Sequence, residues 1–263
     1  MRCEEVFSPK KYEIPENFAF YSNIAKALFD YLQEVYPGLK AKKVLELGSG
    51  TGIATREILK RFPFSKVVCV DISREMLKAA KKTLPDCLYI RADAGDLSFL
   101  REKFDLVIGN FCCHWFMGEG FLKELFNVLK DEGICAFSIP IDPCKSSFLR
   151  KVLKKIFVFL KKEGYASVYR TNSLKKTVEL FDGMKKSWKI YEVKECYSAK
   201  KWLEVLKSRG SWSFMFAGME DVAENFWQKL IKSEDSLDYT WSVVLLLLQK
   251  TGKKVKCKVC KSL

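Results

Sequence analysis

Two aspartates and a run of alternating glycines are the residues in this chain best suited to chemistry. Gly48, Gly50 and Gly52 fall on every second position within Val44 to Thr55, VLELGSGTGIAT. Without Cβ atoms the backbone there turns sharply and lies close against a ligand. A helix that follows directs its free N–H groups at the same place. Asp71 stands nineteen residues past the last of these glycines, at the end of KVVCV. A carboxylate so placed accepts from two vicinal hydroxyls, which is what a ribose requires. Asp93-Ala94 and then Asn110-Phe111-Cys112-Cys113-His114-Trp115 follow. His114 is the only histidine. It serves as a base toward a hydroxyl or amine acceptor, or orients a carboxylate that needs no base.

Alternating strands and helices position these groups. Strands are predicted at Lys43–Leu47, Lys66–Val70, Cys87–Arg91, Asp105–Gly109 and Gly133–Ile139, with helices Thr51–Arg61, Arg74–Thr83 and Gly118–Leu129 between them. A turn at Lys130 to Gly133 should precede the fifth strand. Ser73 suits a helix N-cap. This alternation predicts an α/β fold with a doubly wound, mostly parallel sheet, whose strand ends carry Gly48, Asp71, Asp93 and Asn110. Residues 1–19 read as a polar, mobile arm, followed by a helix to Val35 that Pro37-Gly38 ends. Further on, Ser147–Lys162 reads as an amphipathic, lysine-rich helix, and Ser173–Phe181 and Ala199–Arg209 as helices. Trp188–Cys196 and Asp238–Leu248 read as strands.

Hydrophobic content of 48% across 263 residues supports a globular core, and ten cysteines suit a reducing compartment. No apolar run is long enough to cross a bilayer, so a cytoplasmic protein without membrane contact is expected. The net charge of +14 would attract nucleic acid, an acidic protein or a small anion. No nucleic-acid module is recognisable, and a nucleic-acid partner is not expected. Cys257 and Cys260 supply half of a tetrahedral zinc site without a second pair nearby, and no metal is expected.

The glycine turn has the spacing GxGxG, not the GxGxxG of dinucleotide-binding folds. ELGSGTG, Asp71, Asp93-Ala94 and FDLVIGN together resemble the class I S-adenosylmethionine-dependent methyltransferases over residues 43–139. The resemblance implies a Rossmann-like sheet with a helical cap, and S-adenosyl-L-methionine as cofactor. It implies that Glu46, Gly48, Ser49, Gly50 and Gly52 hold the methionine part and Asp71 the ribose. Ile72 and Met76 would wall the adenine, with Asp93 and Ala94 at its amino group. Asn110 and Phe111 would border the sulfonium. FSPKKYE, NFCCHW and the Leu206-Lys207…Gly210 helix end are similar to the malonyl-acyl-carrier-protein O-methyltransferases of biotin synthesis. That resemblance implies an acidic acyl-carrier protein as partner, with Tyr12 and His114 at the catalytic end. Arg150, Arg170 and Arg209 are candidates to hold an acceptor carboxylate. LKSRGSW departs from the more usual LKxIGA, which leaves the acceptor open. A trans-aconitate-type carboxyl methyltransferase and an RNA methyltransferase are the alternatives. The implied organisation is a single domain, with an arm and helix at 1–40, a core at 41–140, a substrate cap at 141–235, a final strand at 236–250 and a basic tail.

Overall fold

The computed structural model describes residues 8–117, 119–141, 148–162, 184–209, 211–216 and 218–251. The chain opens with helices α1 (Pro9–Tyr12) and α2 (Pro15–Val35). The expected mobile arm is therefore helical over most of its described part. Pro9 and Pro15 each stand at a helix start, where the missing N–H removes no intrahelical bond. Asn17 is fully buried, so the start of α2 is tied into the interior.

The order then runs β1 (Lys43–Leu47), α3 (Ile53–Arg61), β2 (Lys66–Asp71), α4 (Arg74–Thr83), β3 (Leu88–Arg91) and β4 (Phe104–Asn110). After a 3₁₀ turn (Cys113–Trp115) come α5 (Glu119–Val128), β5 (Leu129–Ile141) and α6 (Phe148–Lys162). Next are β6 (Lys185–Ser198), α7 (Ala199–Ser208), α8 (Ser211–Met215), α9 (Glu220–Leu230) and β7 (Ser236–Gln249). Seven strands form one sheet in the order β3-β2-β1-β4-β5-β7-β6. The first five are mutually parallel, and β7 runs antiparallel to both β5 and β6. This is a mostly parallel, Rossmann-like sheet.

Most strand boundaries lie within two or three residues of those the sequence predicts. The fifth does not. Where the sequence suggests a turn at Lys130 to Gly133, β5 already begins at Leu129. It pairs Leu129 with Phe104 and then, after a register shift, Ile134 with Leu106. Glu132 takes φ +63° inside that bulge, so turn chemistry is absorbed into the strand. Helix α3 starts at Ile53, not Thr51, because Gly52 still holds a left-handed φ of +82°. Helices α8 and α9 are not predicted from the sequence. The helix expected at Ser173–Phe181 and the Cys257/Cys260 pair lie outside the described residues.

Three apolar clusters hold the molecule. Ile24, Leu28 and Leu32 of α2 and Ile58 of α3 pack on one face of the sheet against Val44, Leu106 and Leu245. Phe121 and Leu125 of α5 cover the other face, against Leu45, Val107, Phe137 and Leu246. The third cluster gathers α6 to α9 around Trp202, Trp212 and Trp227 and takes in Leu237 and Tyr239 of β7. Strand β7 therefore belongs to the sheet at one end and to the helical group at the other. That shared strand is what brings α7 beside the carboxyl ends of β1, β2 and β4.

Candidate functional site

A cavity of ≈ 480 Å³ opens at those strand ends. Gly48, Gly50, Asp71, Ile72, Met76, Asp93 and Ala94 line one side. Asn110, Phe111, His114, Tyr12, Tyr21 and Arg209 line the other. The sequence-predicted residues are thus largely brought together, from α1, α4, the 3₁₀ turn, the carboxyl ends of β1 to β4 and the end of α7.

The glycine loop is shaped by contact. Gly48 has φ +58°, and a Cβ there would lie 2.7 Å from the Cβ of Cys112. Cys112 itself donates its Sγ–H to the carbonyl of Leu47 at 3.0 Å. Gly50 has φ +55°, and a Cβ on it would meet no protein atom within 4 Å. The loop backbone thus faces open space in the cavity wall. Asp71 is fixed at both oxygens: Gly50 N–H donates to Oδ2 and Ser73 N–H to Oδ1, each at 2.8 Å. Each oxygen keeps a further lone pair. Burial pushes the Asp71 pKa up, and these N–H groups pull against it. Asp93 accepts from Gly95 N–H at 2.8 Å, which leaves its second oxygen uncommitted by that turn.

Three predicted cofactor residues do not line the cavity: Glu46, Ser49 and Gly52. Glu46 lies furthest into the core of the three. Strand alternation turns it to the α3 side of the sheet, where it is 1% exposed and accepts from Thr55 Oγ at 2.5 Å. Burial raises its pKa to about 8. It supports the glycine loop from beneath.

At the far end, the last residues of β4 are held by β5. Ser138 Oγ donates to Asn110 Oδ1 at 2.8 Å and accepts from Phe111 N–H at 2.8 Å. Asn110 Nδ2 donates to the carbonyl of Tyr21 at 3.2 Å. Phe111 takes φ +57°, a conformation costing about 1–3 kcal/mol for a residue with a side chain. Its ring lies 5.3 Å from that of Phe20, 5.6 Å from Tyr21 and 5.8 Å from His114. Tyr12 stacks on Tyr21 at 5.1 Å and shares a hydrogen bond with it. Burial raises both phenol pKa values, so both remain protonated donors. Burial lowers the His114 pKa to about 4. The ring is neutral at physiological pH, with a buried Nδ1 that has no partner among the described residues.

Arg209, one of three arginine candidates, is 3% exposed. Its Nη1 and Nη2 donate to Glu195 at 2.8 and 2.7 Å, and its Nε donates to Asn17 Oδ1 at 2.9 Å. The guanidinium lies 4.0 Å above the Phe20 ring. Glu195 also accepts from Trp241 Nε1 at 2.7 Å and Tyr197 hydroxyl at 3.0 Å. Its oxygens are therefore saturated, whereas two of the five guanidinium N–H groups are not used by these bonds. The side chain of Arg150 and all of Arg170 lie outside the described residues. Sequence reasoning missed Tyr21, Asn17, Glu195 and Trp241. Asn17 and Tyr21 sit on an apparently ordinary amphipathic helix, and Glu195 in an alternating strand. No local pattern marks them as neighbours of one arginine.

A family of methyltransferase domains matches residues 44–133. The malonyl-[acyl-carrier protein] O-methyltransferase 1 of Ilyobacter polytropus is 34% identical over 122 residues, 45% of this chain and 46% of that one. The trans-aconitate 2-methyltransferase of Deinococcus radiodurans is 30% identical over 128 residues, 48% of each chain. The chain spans about half the length of these curated relatives. Among solved structures, a Haemonchus contortus phosphoethanolamine N-methyltransferase 2 in complex with S-adenosyl-L-methionine superposes with a TM-score of 0.54 at 16% identity. That match covers 95% of this chain and 60% of the other.

Proposed function

We propose that this chain, a class I methyltransferase by its domain and fold, transfers a methyl group from S-adenosylmethionine to a carboxylate that arrives already ionised. The residues present fit that cofactor. Asp71 offers a lone pair on each oxygen to the ribose hydroxyls. Ile72 and Met76 wall the adenine, Asp93 and Ala94 meet its edge, and Gly48 and Gly50 let the methionine part lie against backbone. When bound, the cofactor supplies an electrophilic methyl group on a sulfonium. The protein's share is alignment and exclusion of water.

The observation that carries the carboxylate reading is that Arg209 lines the same cavity as a neutral His114. An amine or alcohol acceptor must lose a proton, and a histidine with a pKa of about 4 is a weak base at neutral pH. A carboxylate has no proton to lose. It needs a cationic fork, and Arg209 has N–H groups left for it. Tyr21, protonated and accepting from Tyr12, adds one hydroxyl donor on the same side. His114 then orients the acceptor instead of deprotonating it.

The acceptor we favour is the free carboxylate of a malonyl-acyl-carrier protein, as in biotin synthesis, supported by the Ilyobacter polytropus relative. A free small diacid is the second reading, supported by the similar likeness to a trans-aconitate enzyme. The test is transfer from labelled S-adenosylmethionine to malonyl-acyl-carrier protein, malonate, trans-aconitate and bulk RNA in parallel. Labelled carrier protein is expected, with kcat/KM falling about 100-fold in Arg209→Lys because the planar fork is lost. Labelling of RNA alone, or an unaffected Arg209→Lys enzyme, would sink the carboxylate reading.

A further inference from the structure

The apolar side of α6 is buried, but its basic side is not. Val152, Ile156 and Leu160 pack into the third cluster. The helix carries Arg150, Lys151, Lys154, Lys155, Lys161 and Lys162 and no acidic residue at all. Between α6 and α9 lies a groove of ≈ 570 Å³, distinct from the cofactor cavity. Lys151, Lys154, Lys155 and Lys162 rim it, and Phe159 and Phe226 stack 4.0 Å apart at its floor. Two lysines of the helical group are paired with acids: Lys201 with Glu16 and Glu204, and Lys207 with Glu224. The four rim lysines have no acidic partner among the described residues.

We propose that this groove docks an acidic, amphipathic helix of a protein partner, namely the carrier that presents the acceptor; this rests on the carboxylate reading above. Positions 151, 154, 155 and 162 span twelve residues of one helix, about 16 Å. An approaching helix with acids three and four residues apart matches that spacing over about three turns. Its apolar residues would cover Phe159 and Phe226. Binding of a phospholipid surface instead is one outcome of the test below. Topology links the groove to the chemistry. Strand β5 places Ser138 against Asn110, and α6 follows from the same carboxyl edge of the sheet on which the cavity opens.

The test compares wild type with Lys151→Glu/Lys154→Glu/Lys155→Glu and with the matching triple arginine variant. Three readouts are the KM for malonyl-acyl-carrier protein, turnover of malonyl-pantetheine, and S-adenosylhomocysteine binding as a check on folding. The glutamate variant should raise the carrier KM about tenfold or more and leave the other two unchanged. The arginine variant should behave as wild type. An unchanged carrier KM in the glutamate variant overturns the proposal, and so does binding to phosphatidylserine vesicles lost in that variant with carrier KM intact. If wild type does not methylate the carrier at all, the acceptor reading fails separately. Binding of unloaded acyl-carrier protein then decides the groove: tenfold weaker binding to the glutamate variant sustains it, and no binding to wild type rejects it.

Discussion

His114 and Arg209 face one cavity and are held in opposite electrostatic states. Burial without an anionic partner keeps the imidazole neutral, its pKa lowered to about 4, whereas the guanidinium is buried together with Glu195 and remains a cation. Removing one partner of such a pair costs about 3–5 kcal/mol, since the other charge is left buried and alone. A pH profile tests the histidine. Folded His114 binds less proton than the unfolded chain between pH 6.5 and 4, so its contribution to stability is lost as pH falls through that window. At neutral pH it does not titrate. We therefore expect kcat/KM to show no inflection near pH 6.5, and His114→Gln to keep activity within several-fold. An inflection near 6.5 that disappears in His114→Gln would instead make the ring a base. The sequence drew attention to His114 as the sole histidine. Its protonation state could be learned only from the packing of Phe111 and Trp115 around it.

Among the elements, the end of β4 and the β1–α3 loop share one physical strategy, in which a left-handed backbone is fixed by a neighbouring strand or side chain. Phe111 is held in its left-handed conformation by Ser138 of β5. The glycine loop rests on Cys112 above and on Glu46 and Thr55 below. Glu46 makes this testable. Its folded pKa is about 8 against 4.5 for the free side chain. The folded protein therefore holds an extra proton between those values. This contribution is complete below pH 4.5 and is lost as pH rises through 8, with a slope of up to about 1.4 kcal/mol per pH unit. Glu46→Gln, which mimics the protonated acid, should flatten that part of the stability curve in urea unfolding at pH 5 and 8.5. An unaltered slope would show that Glu46 is charged in the fold. Element periodicity located β1 and its loop in the sequence, but a run of apolar residues around one glutamate does not say which face that glutamate takes.

At the scale of the molecule, the Arg209 side of the cavity is assembled from parts far apart in sequence: Tyr12 and Asn17, Phe111 and His114, Glu195, Arg209 and Trp241. Cofactor binding should couple to the whole of this assembly. S-adenosylhomocysteine at a hundred times its Kd should stabilise the fold by about 2.7 kcal/mol, visible as a rise in Tm of about 5–10 °C. Gly48→Ala should abolish the rise, because its Cβ would meet Cys112. A full shift in that variant would place the ligand elsewhere. None of the described helices is long and apolar enough to cross a membrane. The sequence by itself determined the alternating architecture and which strand-end residues line one side of the cavity, because strand ends, glycine turns and capping residues are local signals spaced along one chain. Tertiary structure alone decided that Arg209 lines the cavity, that Glu195 and Asn17 hold it, and that residues 9–12 form a helix ending at the cavity wall. Those contacts join positions up to 192 residues apart. Packing fixes them, and no local periodicity encodes them.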